Sequence, residues 1–374
     1  MTDYLKYWLS PVLIGINMWG FRQGGIYVGL GLAILLGILF FDMLLPRNFK
    51  LSDQRFPWIY DLTLLVTVLF AFAELFFYCY LVGINHFATT AEAVTAFIAM
   101  MFFGFVVGAP PAHELLHRNT PVMGFIGDVG MCLVFDPWRK ITHVVTHHLK
   151  VATDDDPDTA RRGENLYVYL VRNLSEQVKE ASILEREMWT KRGRSWWDPR
   201  NHWVISFLTL VAFSAVLYLI GGLYGMLASI ATLLIGPRVL LEAFNYVNHY
   251  GLVTECPGIF QNRHTWNHLT PFVRILALEI TNHAGHHQDA YKPFYALVPD
   301  EHGPLQPQFL LCVILAFFPP AWFATIKPLL RDWDNRFATP KERILARAAN
   351  KKAGWEDWFA DDGSSQGNLK VKMA

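Results

Sequence analysis

The chain has 374 residues, of which 53% are hydrophobic, 15% aromatic and 17% charged, a composition that excludes an ordinary soluble domain. Its 32 basic residues balance 32 acidic ones, which excludes a nucleic-acid footprint and a strongly polarised tail. The four cysteines (Cys79, Cys132, Cys256 and Cys312) show no CxxC spacing and read as reduced, structural thiols of a cytosol-facing protein.

An apolar run of about 20 residues is long enough to cross a bilayer. Such runs cover residues 26–45, 61–83, 93–109, 202–221 and 224–244; a sixth, 4–21, is interrupted by Pro11 and Gly15. No cleavable signal is expected, because no small-residue cleavage site follows a short apolar core. The predicted fold class is all-α: a polytopic membrane protein with about six spans in three hairpins. The turns 83–92 and 221–225 hold no Lys or Arg and the first holds only Arg22, whereas Arg47, Lys50, Arg55, Arg118, Arg139, Lys140 and Lys150 lie on the other side. The positive-inside rule therefore puts both termini in the cytoplasm of an inner-membrane protein.

Along the chain, Glu74 stands within the third run, as a functional carboxylate or as the partner of a buried donor. The fourth run carries Gly104-x-x-x-Gly108, a spacing for close helix packing, and ends at Pro110-Pro111, where a fresh helix is expected. Residues 110–201 and 245–358 form a cytosolic cap on a single unit, 1–358. Within the cap, 121–135 is too short to span and reads as interfacial, and 173–194 alternates charge like a solvent-exposed helix. The apolar segment 309–326 contains Pro319-Pro320 and reads as re-entrant or interfacial. Residues 330–358 read as amphipathic, and 359–374 as a disordered tail.

Nine of the 14 histidines fall into four boxes: His113-x-x-x-His117, His143-x-x-x-His147-His148, Asn245-x-x-x-His249, and His283-x-x-His286-His287. Spacings of i, i+3 and i+4 put imidazoles on one helix face, about 5–6 Å apart at Cβ, where they can share a metal. One zinc takes three or four protein ligands, so nine suit two metal ions side by side. A lone histidine is usually a surface or satisfied core residue, but four dense boxes do not fit that description. Two rivals remain. His113-Glu114-x-x-His117 is a zinc-protease pattern with Glu114 as general base, which leaves the other boxes idle. A metal permease would want its ionisable groups within the spans, whereas the boxes lie at or beyond their ends. Neutral imidazoles leave metal charge uncompensated, so nearby carboxylates and amides are expected to support them. The candidates are Glu114, Asp154, Asp155, Asp156, Asp158, Glu242, Asn245 and Asn248. His264 and His268 form a weaker i, i+4 pair.

These boxes resemble those of the membrane-bound, histidine-rich diiron family, which includes alkane hydroxylases, xylene methyl-monooxygenases and fatty-acid desaturases. The HxxxHH second box and Asn245-Tyr-x-x-His249-Tyr-Gly are similar to the alkane and xylene branch. Glu279-Ile-Thr-Asn-His283, Leu330-Arg-Asp-Trp-Asp334, Ala338-Thr-Pro340 and Ala349-Asn-Lys-Lys-Ala-Gly-Trp355 extend the resemblance toward the xylene and p-cymene methyl-monooxygenases. Asn248 stands where alkane enzymes usually have Glu, and a non-acidic residue there is similar to the xylene type. The resemblance implies nine histidine ligands to two irons, O2 as co-substrate, and hydroxylation of an alkyl-arene methyl group. It also implies electrons from NADH through a separate flavin/iron–sulfur reductase. The chain itself carries neither a dinucleotide-binding fingerprint nor a cluster-binding cysteine pattern. Phe70, Phe72, Phe76, Phe77, Met100, Phe102 and Phe105 are candidate walls for the hydrocarbon.

Overall fold

The computed structural model describes residues 2–359; among these the only β pairing is an isolated bridge between Asn267 and Leu305. Short turns lead into α1 (Leu9–Gln23) and α2 (Leu30–Asp42), followed by α3 (Pro57–Gly83) and α4 (Thr90–Leu116). The cap begins with α5 (Pro121–Gly130), α6 (Lys140–His147, continued by His148–Lys150) and α7 (Leu166–Lys191). α8 (His202–Leu233) and α9 (Val239–His249) return to the apolar layer and back. The rest is α10 (Pro271–Leu276), α11 (His283–Gln288), α12 (Phe309–Ala316), α13 (Pro319–Arg336) and α14 (Pro340–Lys352).

Local chemistry sets many of these ends. Thr89, Asn165, Asn201 and Thr339 cap α4, α7, α8 and α14 by accepting from backbone N–H groups of the first turn. Each such cap contributes about 1 kcal/mol. Pro57, Pro121, Pro271, Pro319 and Pro340 occupy first-turn positions, where a missing N–H costs nothing.

Four stretches are long and apolar enough to cross a membrane: Gly25–Asp42, Pro57–Gly83, Thr90–Leu116 and His202–His249. The last is a hairpin. Gly222 adopts φ 61°, open to glycine without strain. Ser206 Oγ on one leg donates to Pro137 O at 2.8 Å, and Arg238 on the other pairs with the adjacent Asp136. Both legs therefore return to one level. The expected spans 202–221 and 224–244 are these legs, the second running on to His249.

The three turns meet at one end of the bundle. His86 Nε2 bonds Phe21 O at 2.9 Å, and a Cβ on Gly83 would lie 2.4 Å from Gly221 O. The histidine boxes gather at the other end, where the helices depart from α geometry. Gly104–Gly108 within α4 and Leu234–Arg238 between α8 and α9 are π-helical, and they pack on each other: a Cβ on Gly104 would lie 2.6 Å from Pro237 Cγ. A fresh helix was expected at Pro110; α4 instead runs unbroken to Leu116. Its prolines sit just beyond a π turn, which absorbs their missing N–H groups. Each π turn rephases the side chains that follow it, His113 and His117 on α4 and His249 on α9.

The cap has its own core around Tyr246, Tyr250, Trp322, Leu330 and Trp333. α12 is eight residues long, too short to cross, and packs Phe309 on Phe244. α5 exposes Val122 and Phe125, as an interfacial helix would. Residues 330–358 form a clasp rather than a loose amphipathic tail. Buried Arg162 binds Asp334 at 2.7 and 2.8 Å, Asn350 at 2.8 Å and Gly251 O at 2.8 Å. Phe359 packs on Trp358, and the rest of the expected disordered tail, 360–374, lies outside the described residues.

Candidate metal centre

All nine boxed histidines converge, and they sort into two quartets. His113, His117, His143 and His286 bring one nitrogen each within 4.8 Å of one another, and so do His147, His249, His283 and His287. His148 stands between them, its ring centroid 5.1 Å from His117, 4.9 Å from His286 and 4.5 Å from His287. The i, i+4 expectation holds for His113 with His117 and for His283 with His287. His143 and His147 divide between the two quartets, yet together with Asp158 they also bring one ligand atom each within 4.8 Å of one another. Lys140–His147 is π-helical, and its wider turn keeps His143 and His147 side by side while they serve different quartets. Their rings lie parallel, 5.0 Å apart, as the wall shared by the two sets.

The donors suit metal ions. His113 Nε2 lies 2.7 Å from His143 Nε2, and His283 Nε2 lies 2.8 Å from His249 Nε2. His147 Nε2, His286 Nε2 and both nitrogens of His148 are buried with no hydrogen-bond partner. A buried polar atom left unmatched costs about 1–3 kcal/mol, and a cation at each convergence would satisfy the inward lone pairs. Burial, followed by neighbouring imidazoles, holds His143, His148, His286 and His287 well below the ordinary histidine pKa. The same causes take His117 and His283 down to about 3. Neutral rings are what a metal requires. His147 is the exception: burial opposes its charge, but Asp156 outweighs burial and raises its pKa.

The expected supporting residues divide. Asp156 Oδ2 accepts from His147 Nδ1 at 2.9 Å and from Thr159 Oγ1 at 2.6 Å. Asp158 lies 3.9 Å from Nδ1 of both His143 and His147. Glu242 accepts from Asn245 at 3.1 Å, and Asn248 Nδ2 donates to Phe244 O at 2.9 Å. Asp154 and Asp155 are exposed and support no histidine; Asp154 pairs with Lys352 and Arg161 on the surface. Glu114 turns away from its box, binding Arg118 at 3.0 Å and Phe294 N at 3.1 Å, so it is not placed as a protease base. His264 bonds Glu342 at 2.7 Å, His268 Nδ1 bonds Pro307 O at 2.9 Å, and neither joins a quartet. Glu74 accepts from Asn17 at 2.8 Å, a buried pair far from the boxes in the fold.

Sequence reasoning missed the hub of this support. Buried Arg139 donates to Asp136 at 2.7 Å, to Asp158 at 3.3 Å and to Glu242. Arg238 joins it on Asp136 and donates to Gln177 Oε1 at 2.7 Å. Asn173 and Gln177 complete the network, at 2.5 Å from Glu242 and Asp158 respectively. They lie on α7, where a solvent-exposed helix was expected. The available signal was the stripe Leu166, Tyr169, Asn173, Gln177, Ala181, Glu185 and Trp189, helical in spacing and polar where it meets the network.

Beside the quartets is an apolar chamber with an open mouth. Phe102, Phe105, Leu240, Phe244, Ile280 and Phe309 line it, and His113, His143 and His283 border it. Of the expected walls only Phe102 and Phe105 contribute. Phe72 and Phe76 pack on Phe213, and Phe70 is exposed.

Residues 88–310, a range that holds all four boxes, match the fatty acid desaturase family. The xylene/toluene monooxygenase hydroxylase component XylM of Pseudomonas putida is 36% identical over 359 residues, 95% of this chain and 97% of that protein. The chain belongs to this histidine-rich diiron hydroxylase family. Its relatives also include an alkane 1-monooxygenase of Pseudomonas putida, 25% identical over 88% of this chain and 84% of that one. Alkane 1-monooxygenase 1 of Pseudomonas aeruginosa is 28% identical over 66% of this chain and 65% of its own. With hydroxylase components as relatives over nearly its whole length, the chain is an enzyme of the monooxygenase class.

Proposed function

We propose that the chain hydroxylates the methyl group of an alkyl-arene of toluene, xylene or p-cymene type to a benzylic alcohol, using O2 at a pair of irons. The observation that carries this reading is the apolar chamber bordered at once by histidines of both quartets. In it, Phe105, Phe244 and Phe309 form an aromatic cluster with centroids 5.5–6.4 Å apart, and Phe244 meets the His283 ring edge-on at 5.2 Å. A flat ring packs well against such edges, and 36% identity to a xylene/toluene hydroxylase component agrees.

His113, His117, His143 and His286 would hold one iron, and His147, His249, His283 and His287 the other, with His148 in reach of both. Iron held there by imidazole would supply the redox chemistry by which the hydrocarbon, O2, two electrons and two protons yield one alcohol and one water. The chain's residues do the rest. The chamber desolvates the hydrocarbon and sets its methyl group toward His113, His143 and His283. Asp156 fixes the His147 ring by holding its Nδ1 proton, leaving Nε2 free for metal. Arg139 and Arg238 pair with Asp136, Asp158 and Glu242 in the wall between chamber and α7. The basic residues on the box side support cytoplasmic boxes and termini in an inner membrane. Without a redox cofactor pattern of its own, the chain takes its electrons from an NADH-dependent flavin/iron–sulfur reductase.

Cells making this chain with such a reductase, offered p-xylene, p-cymene and n-octane in competition, should form benzylic alcohols predominantly. Hydrophobic pockets discriminate by only about 1–3 kcal/mol per methylene, so minor octanol is compatible. Predominant 1-octanol would place the chain with its alkane-oxidising relatives instead.

A further inference from the structure

Eight of the nine boxed histidines are buried; His148 alone is partly exposed. Its two nitrogens are nevertheless shielded and unpartnered. Inward, the ring lies 4.8 Å from His143 of the first quartet and 4.5 Å from His287 of the second. Around it α6 turns two large apolar side chains to the outside, Val145 at 53% and Leu149 at 59% exposure. Charge borders this patch: Lys150 pairs with Glu180 of α7, which also accepts from Thr146 at 3.1 Å. An apolar centre with a charged rim is how a transient protein partner is met. The ion pair on its flank argues for a soluble protein rather than the lipid layer as occupant.

We propose that the Val145–His148–Leu149 face is where the electron-donating iron–sulfur or flavin protein docks, with His148 as the point of entry to both quartets. This rests on the monooxygenase reading given above. In the partner NADH is oxidised to NAD⁺ and H⁺. Its two electrons would cross at this face to the irons that the two quartets would hold, while the protons that complete water come from solvent. Placing entry at the ring that adjoins both sets lets one docking event serve both metals.

The test uses the iron-loaded, detergent-solubilised full chain and a purified NADH-dependent flavin/iron–sulfur reductase. Val145→Asp with Leu149→Asp should raise the half-saturating reductase concentration about 10-fold or more, as losing central apolar contacts does. Ile344→Asp, at an equally exposed site on α14, should not. A benzoylphenylalanine at 149 should cross-link to the reductase, and one at 344 should not. Cross-linking from 344 alone, or from 149 to lipid alone, would overturn the proposal, whatever the double variant's iron content. Single turnover with dithionite separates the two claims. Product from both proteins with unchanged half-saturation overturns the docking face alone; no product from the wild type overturns the iron reading and the docking face with it.

Discussion

The two quartets use the same residue type and are held in different ways. In the first, the rings hydrogen-bond only one another, with Asp158 standing 3.9 Å from His143 Nδ1, and two of the four hang from the end of the membrane helix α4. In the second, His147 is tied to Asp156 at 2.9 Å and His283 to Ile280 O at 3.2 Å. Its surroundings are cap segments, backed by Phe260 stacked 5.1 Å over His287 and by the clasp through His264 and Glu342. A rigid span can aim histidines by backbone alone. Rings carried on short helices and loops need a hydrogen-bond partner to fix their tautomer and direction. The membrane helices therefore aim His113, His117 and His249, while Asp156 and Ile280 O orient His147 and His283 on cap segments.

The largest effects should come from the ligands. His113→Ala and His147→Ala should each lower iron from about two per chain to about one and abolish hydroxylation, the first emptying one quartet and the second the other. His86→Ala, which removes only a bond to Phe21 O, should leave iron unchanged by metal analysis. Next is the network between the two sets. Arg139→Leu strips Asp136, Asp158 and Glu242 of a shared buried partner, and breaking such a pair costs about 3–5 kcal/mol. A lowered unfolding temperature of the iron-free protein would report it.

A smaller effect should distinguish the quartets directly. Asp156→Ala should weaken metal binding about 10–100-fold at the second quartet only, whereas Asp154→Ala should change nothing. Chelator titration followed by spectroscopy of the remaining iron would separate these outcomes; equal loss from both sites would erase the contrast. The smallest effect concerns the clasp. Burial favours neutral Glu342, but His264 and Arg263 outweigh it and hold the carboxyl at about 2, below its ordinary 4.5. Its contribution is present above about pH 4.5 and is lost as pH falls toward 2. Glu342→Gln should imitate that loss at neutral pH, seen as faster tryptic cleavage at Lys351 and Lys352. An unchanged digestion rate would detach the clasp from the second quartet.

The boxes and spans were legible because both depend on local period: imidazoles at helical spacing, and apolar runs long enough for a bilayer. The Gly221-Gly222 reversal was likewise readable as a turn. What escaped depends on pairings across the chain or on departures from α geometry. Nothing near Lys140 announces a π turn, so the division of His143 and His147 between two quartets was not readable. Asp154 and Asp155 looked equivalent to Asp156 and Asp158 until the turn sent two outward and two inward. Arg139 gathers partners from positions 136, 158 and 242, a network no single window of sequence contains.

The most direct measurement is metal analysis of chelator-free protein combined with Mössbauer spectroscopy of the wild type and of Asp156→Ala. Two irons per chain are expected in the wild type, with two distinguishable environments of which Asp156→Ala perturbs one. One zinc per chain, or two irons that respond identically to the substitution, would contradict a paired site in which Asp156 holds a ring of the second quartet alone.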